Sequence, residues 1–222
     1  MLPNCTALHQ ALDTCGLAIL RGIQTEDVAS IGRALYDSGF RIIEVPLNSP
    51  EPMASIRTLR HTLPPDCVVG AGTVLNPADC PAIAAVGGQV AVMPHSDPLV
   101  IQATHHAGLA CMAGVATPTE AFAAIAAGAT MLKLFPANAV GPATLKAWRD
   151  VLPPTVALLP VGGLQPEHLA AYRAAGASGF GLGSALYRPG DAVAQVRRMA
   201  ERFMQAWRGA EAAQHPPAGP RP

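Results

Sequence analysis

Residues 109–135 read LACMAGVATPTEAFAAIAAGATMLKLF and contain one complete unit of the predicted fold. The runs Leu109–Ala113 and Met131–Phe135 are apolar on both faces, as buried parallel strands are. Between them, Thr117 precedes a proline, which is typical of a helix start. Gly128 follows the Ala-rich segment at a position where a left-handed C-cap favours glycine. The stretch therefore predicts a strand, a helix and a second strand parallel to the first.

The same unit recurs along the whole chain. Short apolar runs begin about 19 to 27 residues apart, enough for a strand, a loop and a three-turn helix. The eight runs are Leu17–Leu20, Arg41–Val45, Val68–Gly72, Val90–Pro94, Leu109–Ala113, Met131–Phe135, Val156–Pro160 and Gly179–Gly183. Helical periodicity lies between them, for example over Glu26–Ser38, Pro77–Val86, Thr119–Ala127, Gly141–Val151 and Pro166–Ala175. Eight such units predict an α/β fold, a (β/α)₈ TIM barrel. The alternative is an open doubly wound sheet, but the first turn lacks GxGxxG.

Length and composition favour one domain. Half of the 222 residues are hydrophobic and only 14% are charged, so a large core can form. We expect the barrel to occupy residues 1–210, closed by a helix over Asp191–Ala210. Residues 211–222 are rich in Pro and Gly, and we expect a disordered tail there.

Charge and cysteine content exclude several classes of partner. The 15 basic and 15 acidic side chains cancel, so no overall field attracts nucleic acid or an anionic membrane. The start of the chain lacks the pattern of a secretory signal. Five cysteines without CxxC spacing indicate reduced thiols rather than disulfides or a zinc site, and hence a cytoplasmic protein.

Candidate site residues lie where the predicted strands end, because a barrel of this kind builds its active site at the carboxyl ends of its strands. The polar residues and glycines found there are Arg21, Glu44, Asn48, Thr73, His95, Thr117, Lys133, Gly162, Gly163 and Ser184.

Lys133 is the most informative of these residues. It lies within an apolar run, and the chain has 13 arginines but only two lysines, Lys133 and Lys146. A buried amine is disfavoured in its charged form, so it can act as a nucleophile toward a carbonyl carbon. The alternative is a lysine that pairs with a carboxylate or extends to solvent. Glu44 also ends an apolar run, where it could move protons or form an ion pair with Arg21 or Lys133. Arg21 could bind a carboxylate of the substrate or that of Glu44.

The last two strands end in glycine-rich segments, Val161-Gly-Gly163 and Gly181-Leu-Gly-Ser184. The loops after strands seven and eight of such barrels commonly hold phosphate, and glycine lets backbone N–H groups approach an anion. Tight turns without a ligand are the alternative. The histidines suggest a competing metal-dependent lyase, but they lack HxxxH or HxH spacing, so we expect no metal site.

Seven ordered motifs resemble those of the 2-keto-3-deoxy-6-phospho-sugar-acid aldolases, pyruvate-forming class I enzymes that use a Schiff base. More narrowly, they are similar to the 2-dehydro-3-deoxy-6-phosphogalactonate aldolases. The likeness covers nearly everything from about Cys15 to Arg208. The matching segments are Leu20–Ile23, Glu44–Pro50, Gly70–Leu75, Ala116–Glu120, Leu132–Pro136, Val161–Gly163 and Gly181–Tyr187.

This resemblance implies a (β/α)₈ trimer without a metal or organic cofactor, acting on a phosphorylated sugar acid and pyruvate. By position, Lys133 matches the Schiff-base lysine and Glu44 the general acid/base. The substrate-binding positions implied are Arg21, Thr73, Pro94, Val161, Gly162, Gly163, Gly183 and Ser184. A catalytically silent sugar-phosphate-binding barrel and a metal-dependent aldolase are the alternatives.

Two departures from the family pattern fall near the expected pyruvate end. Met93-Pro-His95 replaces a Thr-Pro-Asn-like or Ser-Pro-Gly-like segment, and Ala113-Gly114 replaces Pro-Gly. Relatives acting on the gluconate epimer usually carry Thr-Leu-Arg-Thr after the glutamate and Thr-Gly-Gly on strand seven. Here Pro46–Ser49 and Val161–Gly163 have the galactonate-like forms, so cleavage of the galactonate epimer is expected, with the gluconate epimer as the alternative.

Overall fold

The computed structural model describes residues 3–12 and 16–214. Eight parallel strands form one sheet in the order β7-β6-β5-β4-β3-β2-β1-β8. The strands are β1 Gly16–Ile19, β2 Ile42–Pro46, β3 Val68–Gly72, β4 Val90–Val92, β5 Ala110–Val115, β6 Met131–Leu134, β7 Ala157–Pro160 and β8 Phe180–Leu182. A parallel bridge between Val161 and Gly181 joins β7 to β8 and closes the sheet. The predicted TIM barrel is confirmed, and the open doubly wound sheet is wrong.

Helices follow the strands in alternation. They are α1 Pro3–Leu12, α2 Val28–Asp37, α3 Pro52–Thr62, α4 Asp79–Ala85, α5 Pro98–His106, α6 Pro118–Ala126, α7 Ala137–Arg149, α8 Leu169–Ala174 and α9 Val193–Gln214. All eight predicted strands are present, with ends shifted by a residue or two. Helix α9 continues past the predicted end at Ala210 to Gln214. The rest of the predicted tail, residues 215–222, lies outside the described residues.

Local sequence signals determine where the helix within residues 109–135 begins and ends. The Thr117 hydroxyl accepts a hydrogen bond from the Glu120 backbone N–H, and the Glu120 carboxylate accepts one from that of Thr117. This reciprocal capping box begins α6. Gly128 ends the helix with a φ of 103°. Thr117, a candidate site residue, therefore serves a structural role in the capping of α6.

Apolar side chains form two separate layers. One lies between the strands and the surrounding helices. The other fills the barrel interior and includes Leu17, Ile42 and Met131. Helix α1 contributes Leu8 to this inner layer, and Asn4 donates a hydrogen bond to the Gly108 carbonyl at 2.8 Å, just before β5 begins. The helix therefore covers the amino-terminal end of the barrel, and the carboxyl end remains for a site.

Candidate active site

A cavity of about 310 Å³ opens at the carboxyl ends of the strands. Its wall contains most of the site residues predicted from the sequence. Its lining residues include Arg21, Thr73, Pro94, Lys133, Phe135, Val161, Gly162, Gly163, Gly183, Ser184 and Arg188. Residues from six of the eight strand ends are thus brought to one cavity.

Lys133 lies on β6 with its side chain inside the barrel and only 6% exposed. Its strand neighbours in register are Gly114 on β5 and Leu159 on β7. A side chain at Gly114 would collide with the main chain of Pro94 and His95, so the backbone after β4 can approach closely here. The Lys133 amine lies 4.9 Å from the centre of the Phe135 ring.

Glu44 lies on β2, is 1% exposed, and has a carboxylate oxygen, Oε2, without a hydrogen-bond partner. Its side chain packs over Gly72 of the neighbouring strand, in the space that a Cβ at Gly72 would occupy. No ion pair joins Glu44 to Lys133 or Arg21 in the described part of the chain. The structural ion pair expected as the alternative is thus not formed in this structure, although the Lys133 and Arg21 charges still act on the carboxyl group.

Burial shifts both ionisable groups toward neutrality. It raises the pKa of Glu44 from 4.5 to about 7, against the opposing effects of the Lys133 and Arg21 charges. Burial also lowers the pKa of Lys133 from 10.5; Glu44 opposes this shift and Arg21 adds to it. Desolvation disfavours whichever form is charged, so an acid and an amine move in opposite directions. The result is an amine that loses its proton more easily and a carboxyl group that can both accept and donate one near neutral pH.

Arg21 follows β1 and is fixed by two side chains from neighbouring loops. It donates to the Asn48 side-chain oxygen at 2.7 Å and to the Thr73 hydroxyl at 3.2 Å. Thr73 has a φ of 52°, an uncommon conformation for a residue with a branched side chain. The structure therefore brings Arg21 and Thr73 together as predicted, and Asn48 orients the guanidinium.

The other end of the cavity is built from glycine-rich backbone. Gly162 and Gly163 have φ of 103° and 70°, and a Cβ at Gly163 would lie 2.7 Å from Asn138. Val161 is 2% exposed and packs beside Gly181 on β8. Gly183 and Ser184 complete this end of the wall. The predicted glycine positions thus share one surface with Val161.

Sequence reasoning missed several cavity residues, among them Phe135 and Arg188. Phe135 ends the run containing Lys133, so its position beyond a strand could have identified it. Arg188 lies further along the loop after β8, where no strand end or glycine pair points to it.

Two of the three departures from the family pattern do not face the cavity. Met93 and Ala113 are fully buried in the layer between strands and helices. His95 lines a second cavity, of about 370 Å³, which shares Pro94 and Phe135 with the first. Met93 and Ala113 therefore point away from the cavity, because alternate strand residues point to opposite faces. The expectation that these changes lie near the pyruvate end stays a prediction.

The histidines do not converge. His105 and His106 are exposed on α5, and His168 accepts a hydrogen bond from the Gln165 backbone N–H at 3.1 Å. Among residues 3–12 and 16–214, no three His, Cys, Asp or Glu side chains form a group that could hold a metal ion. In the same ranges, no helix is long and apolar enough to cross a membrane.

Comparison with known proteins agrees with this geometry. A family model described as KDPG and KHG aldolase matches residues 13–198. The chain belongs to the KDPG and KHG aldolase family. It is 45% identical over 191 residues to a probable 2-dehydro-3-deoxy-6-phosphogalactonate aldolase of Rhizobium meliloti, covering 86% of this chain and 90% of that protein.

Two further matches lie within the same aldolase family. The chain is 42% identical to the 2-dehydro-3-deoxy-6-phosphogalactonate aldolase of Escherichia coli, over 87% of this chain and 95% of the relative. A solved structure described as native KDPGal superposes with a TM-score of 0.86 at 42% identity, covering 88% and 95% of the two chains. The resemblance inferred from the seven motifs is therefore confirmed.

We predict that Gly72→Ala lowers the activity of this aldolase by about 10²-fold, because an added methyl group displaces the Glu44 carboxylate and small misplacements in a site are costly. Steady-state turnover measures the effect. Glu44→Asp in the Gly72→Ala background should recover part of the loss, since the shorter side chain leaves room for the methyl group. Gly209→Ala is the control, because nothing lies within 4 Å of its added Cβ. Full activity of Gly72→Ala would contradict the inferred packing.

We also predict that Glu44→Gln becomes more stable than the unmodified protein as pH rises. Folding raises the pKa of Glu44 from 4.5 to about 7, so the folded state holds a proton that the unfolded state has lost between these values. The contribution of this proton to the free energy of unfolding is fully present below pH 4.5 and is lost as pH rises through about 7. Urea unfolding at pH 5 and pH 8 measures the difference. If the two proteins differ by the same free energy of unfolding at both pH values, the prediction is contradicted. Glu201→Gln, at an exposed position, is the control.

Proposed function

We propose that the chain cleaves 2-dehydro-3-deoxy-6-phospho-D-galactonate reversibly to pyruvate and D-glyceraldehyde 3-phosphate, as a class I aldolase. One observation carries the proposal: a buried lysine with a lowered pKa shares one layer of the barrel with a buried glutamate that no ion pair neutralises. The 45% and 42% identical relatives named for this substrate support the same activity.

The first steps form a covalent intermediate on Lys133. Its neutral amine attacks the C2 carbonyl carbon, and loss of water from the carbinolamine gives an iminium. The positive nitrogen can then accept the electron pair of the C3–C4 bond. Arg21 and Thr73 are suited to bind the substrate carboxylate, because a guanidinium pairs with a carboxylate through two parallel hydrogen bonds.

The later steps need one group that accepts and then returns a proton. Glu44, directly or through a water molecule, takes the C4 hydroxyl proton as the C3–C4 bond breaks. Glyceraldehyde 3-phosphate leaves, and Lys133 keeps an enamine of pyruvate. Glu44 returns the proton to the enamine carbon, and hydrolysis of the resulting iminium releases pyruvate. A pKa of about 7 suits both directions of transfer, and no metal or organic cofactor takes part.

The phosphate is proposed to bind at the glycine-rich end. Gly162, Gly163, Gly183 and Ser184 come from the loops after β7 and β8, the usual phosphate site of such barrels. Lys133 and Arg21 line the same cavity as these residues, so one extended substrate can reach all of them.

The assembly is proposed to be a trimer. Six large apolar side chains are exposed in the described part of the chain, and four of them follow β3 to β6: Leu75 at 53%, Leu99 at 65%, Phe122 at 45% and Phe135 at 36%. The other two are Val151 at 58% and Val193 at 37%. Apolar exposure in one sector of a surface is typical of an interface. Sedimentation equilibrium tests the trimer through its mass.

A cytoplasmic location is proposed from the thiols. Cys67, Cys80 and Cys111 are buried and reduced, and burial raises the pKa of Cys67 and of Cys111 to about 12. Such thiols are protonated and unreactive, as expected where no disulfide is needed.

We predict that pyruvate and borohydride together add irreversible mass to the protein at Lys133. Peptide mass spectrometry locates the adduct. Lys146 is the internal control, because it is exposed on α7 and is the only other lysine in the sequence. A silent binding barrel has no need of a nucleophilic amine and would give no adduct. Adduct formation on Lys146, or unchanged trapping in Lys133→Ala, would overturn the assignment.

We predict a higher kcat/KM for the galactonate-derived substrate than for its gluconate epimer. The two differ only at C4, so discrimination must come from groups near that hydroxyl. Val161 offers an apolar surface there, and Val161→Thr would add a hydrogen-bonding group. One polar contact in a closed site is worth roughly 1–3 kcal/mol, or about 5- to 150-fold. Steady-state kinetics on both epimers should show that Val161→Thr reduces the difference in kcat/KM between them. An equal or reversed preference in the unmodified enzyme would contradict the substrate assignment.

A further inference from the structure

We propose that Arg188 binds the phosphate of the substrate and so makes this enzyme selective for phosphorylated over unphosphorylated sugar acids. This inference rests on the proposed function, because it concerns the distal end of the same site. Arg188 lies in the loop after β8 and lines the cavity together with Ser184, Gly162 and Gly163.

The loop geometry holds the Arg188 side chain beside the glycine-rich end. Its Nε donates a hydrogen bond to the Ser184 carbonyl at 3.2 Å. Its backbone N–H donates to Oδ2 of Asp191 at 2.8 Å, and Oδ1 of Asp191 accepts a hydrogen bond from Gln195 at 3.0 Å. Asp191 therefore fixes the main chain of the loop, while the guanidinium follows the cavity wall.

The Arg188 guanidinium has N–H donors that make no hydrogen bond within the described residues. Within the described residues, the only hydrogen bond that the Arg188 side chain makes is the one from Nε, and it forms no ion pair. The residues that line the cavity include no Asp or Glu. A guanidinium presents five N–H donors, and those at Nη1 and Nη2 are thus available for an anion.

The two arginines of the cavity are directed to different places. Arg21 is bound to Asn48 and Thr73, on the side of β2 and β3, and its charge acts on Glu44 and Lys133. Arg188 is bound at Ser184, after β8. The two guanidinium groups are thus held by different loops of one cavity wall, so the carboxylate and the phosphate of one substrate can each pair with its own arginine.

Charge makes this second guanidinium necessary for phosphate selectivity. The other residues proposed for the phosphate, Gly162, Gly163, Gly183 and Ser184, are uncharged. Neutral backbone and hydroxyl donors also bind a neutral terminal hydroxyl, whereas a guanidinium strengthens binding mainly for an anion. Arg188 therefore supplies the part of the recognition that distinguishes a phosphate from a hydroxyl group.

The test compares Arg188→Gln with the unmodified enzyme on the 6-phosphorylated substrate and on the same sugar acid without phosphate. We expect kcat/KM for the phosphorylated substrate to fall roughly 10- to 100-fold, the value of a charge-assisted hydrogen bond. The value for the unphosphorylated acid and the trapping of pyruvate should remain unchanged. Arg188→Lys should restore part of the loss, and exposed Arg198→Gln on α9 is the matched control.

If Arg188→Gln lowers kcat/KM equally for both substrates, or lowers it for neither, the proposed role of Arg188 is overturned. A direct binding measurement keeps the test independent of catalysis: calorimetry with inorganic phosphate should show weaker binding to Arg188→Gln than to Arg198→Gln. Equal phosphate binding by the two variants would also overturn it. Failure of the proposed function is distinguishable, because the unmodified enzyme would then neither trap pyruvate nor cleave either substrate.

Discussion

Two ionisable side chains buried in one layer of the barrel, without an ion pair between them, are the constraint on which the rest of the site depends. Lys133 and Glu44 are 6% and 1% exposed, so burial disfavours the charged form of each. A direct ion pair would hold the amine in its charged form, which is not nucleophilic. Because no ion pair joins them, burial shifts the pKa of each group toward its neutral form.

Glycine makes this arrangement possible. Glu44 packs over Gly72, and Lys133 lies in register with Gly114, whose missing side chain admits the main chain of Pro94. The inner layer below is apolar, and α1 covers its far end. Two arginines, Arg21 and Arg188, line the cavity above this apolar base. The positive charges of Arg21 and Arg188 therefore lie where an anionic ligand can pair with them.

The sequence predicted those features that depend on local pattern. Apolar runs separated by capped helices gave the barrel, and polar residues at strand ends gave Lys133, Glu44, Arg21 and Thr73. What it could not predict depends on the direction of side chains across elements. Met93, just after β4, and Ala113, within β5, lie near the site in sequence yet face the helices, because each points to the outer face. Arg188 was missed for a related reason, since its place in the cavity is set by contacts of the loop with Ser184 and Asp191.

The titration of the Lys133 amine tests this dependence on burial most directly. Lysine labelled with ¹³C at Cε gives one NMR resonance from each of the two lysines, and exposed Lys146 serves as the reference in the same sample. The Lys133 resonance should titrate below the ordinary lysine value of 10.5, and at still lower pH in Glu44→Gln, where the opposing negative charge is gone. A Lys133 pKa at or above 10.5, unchanged in Glu44→Gln, would contradict the buried, coupled pair.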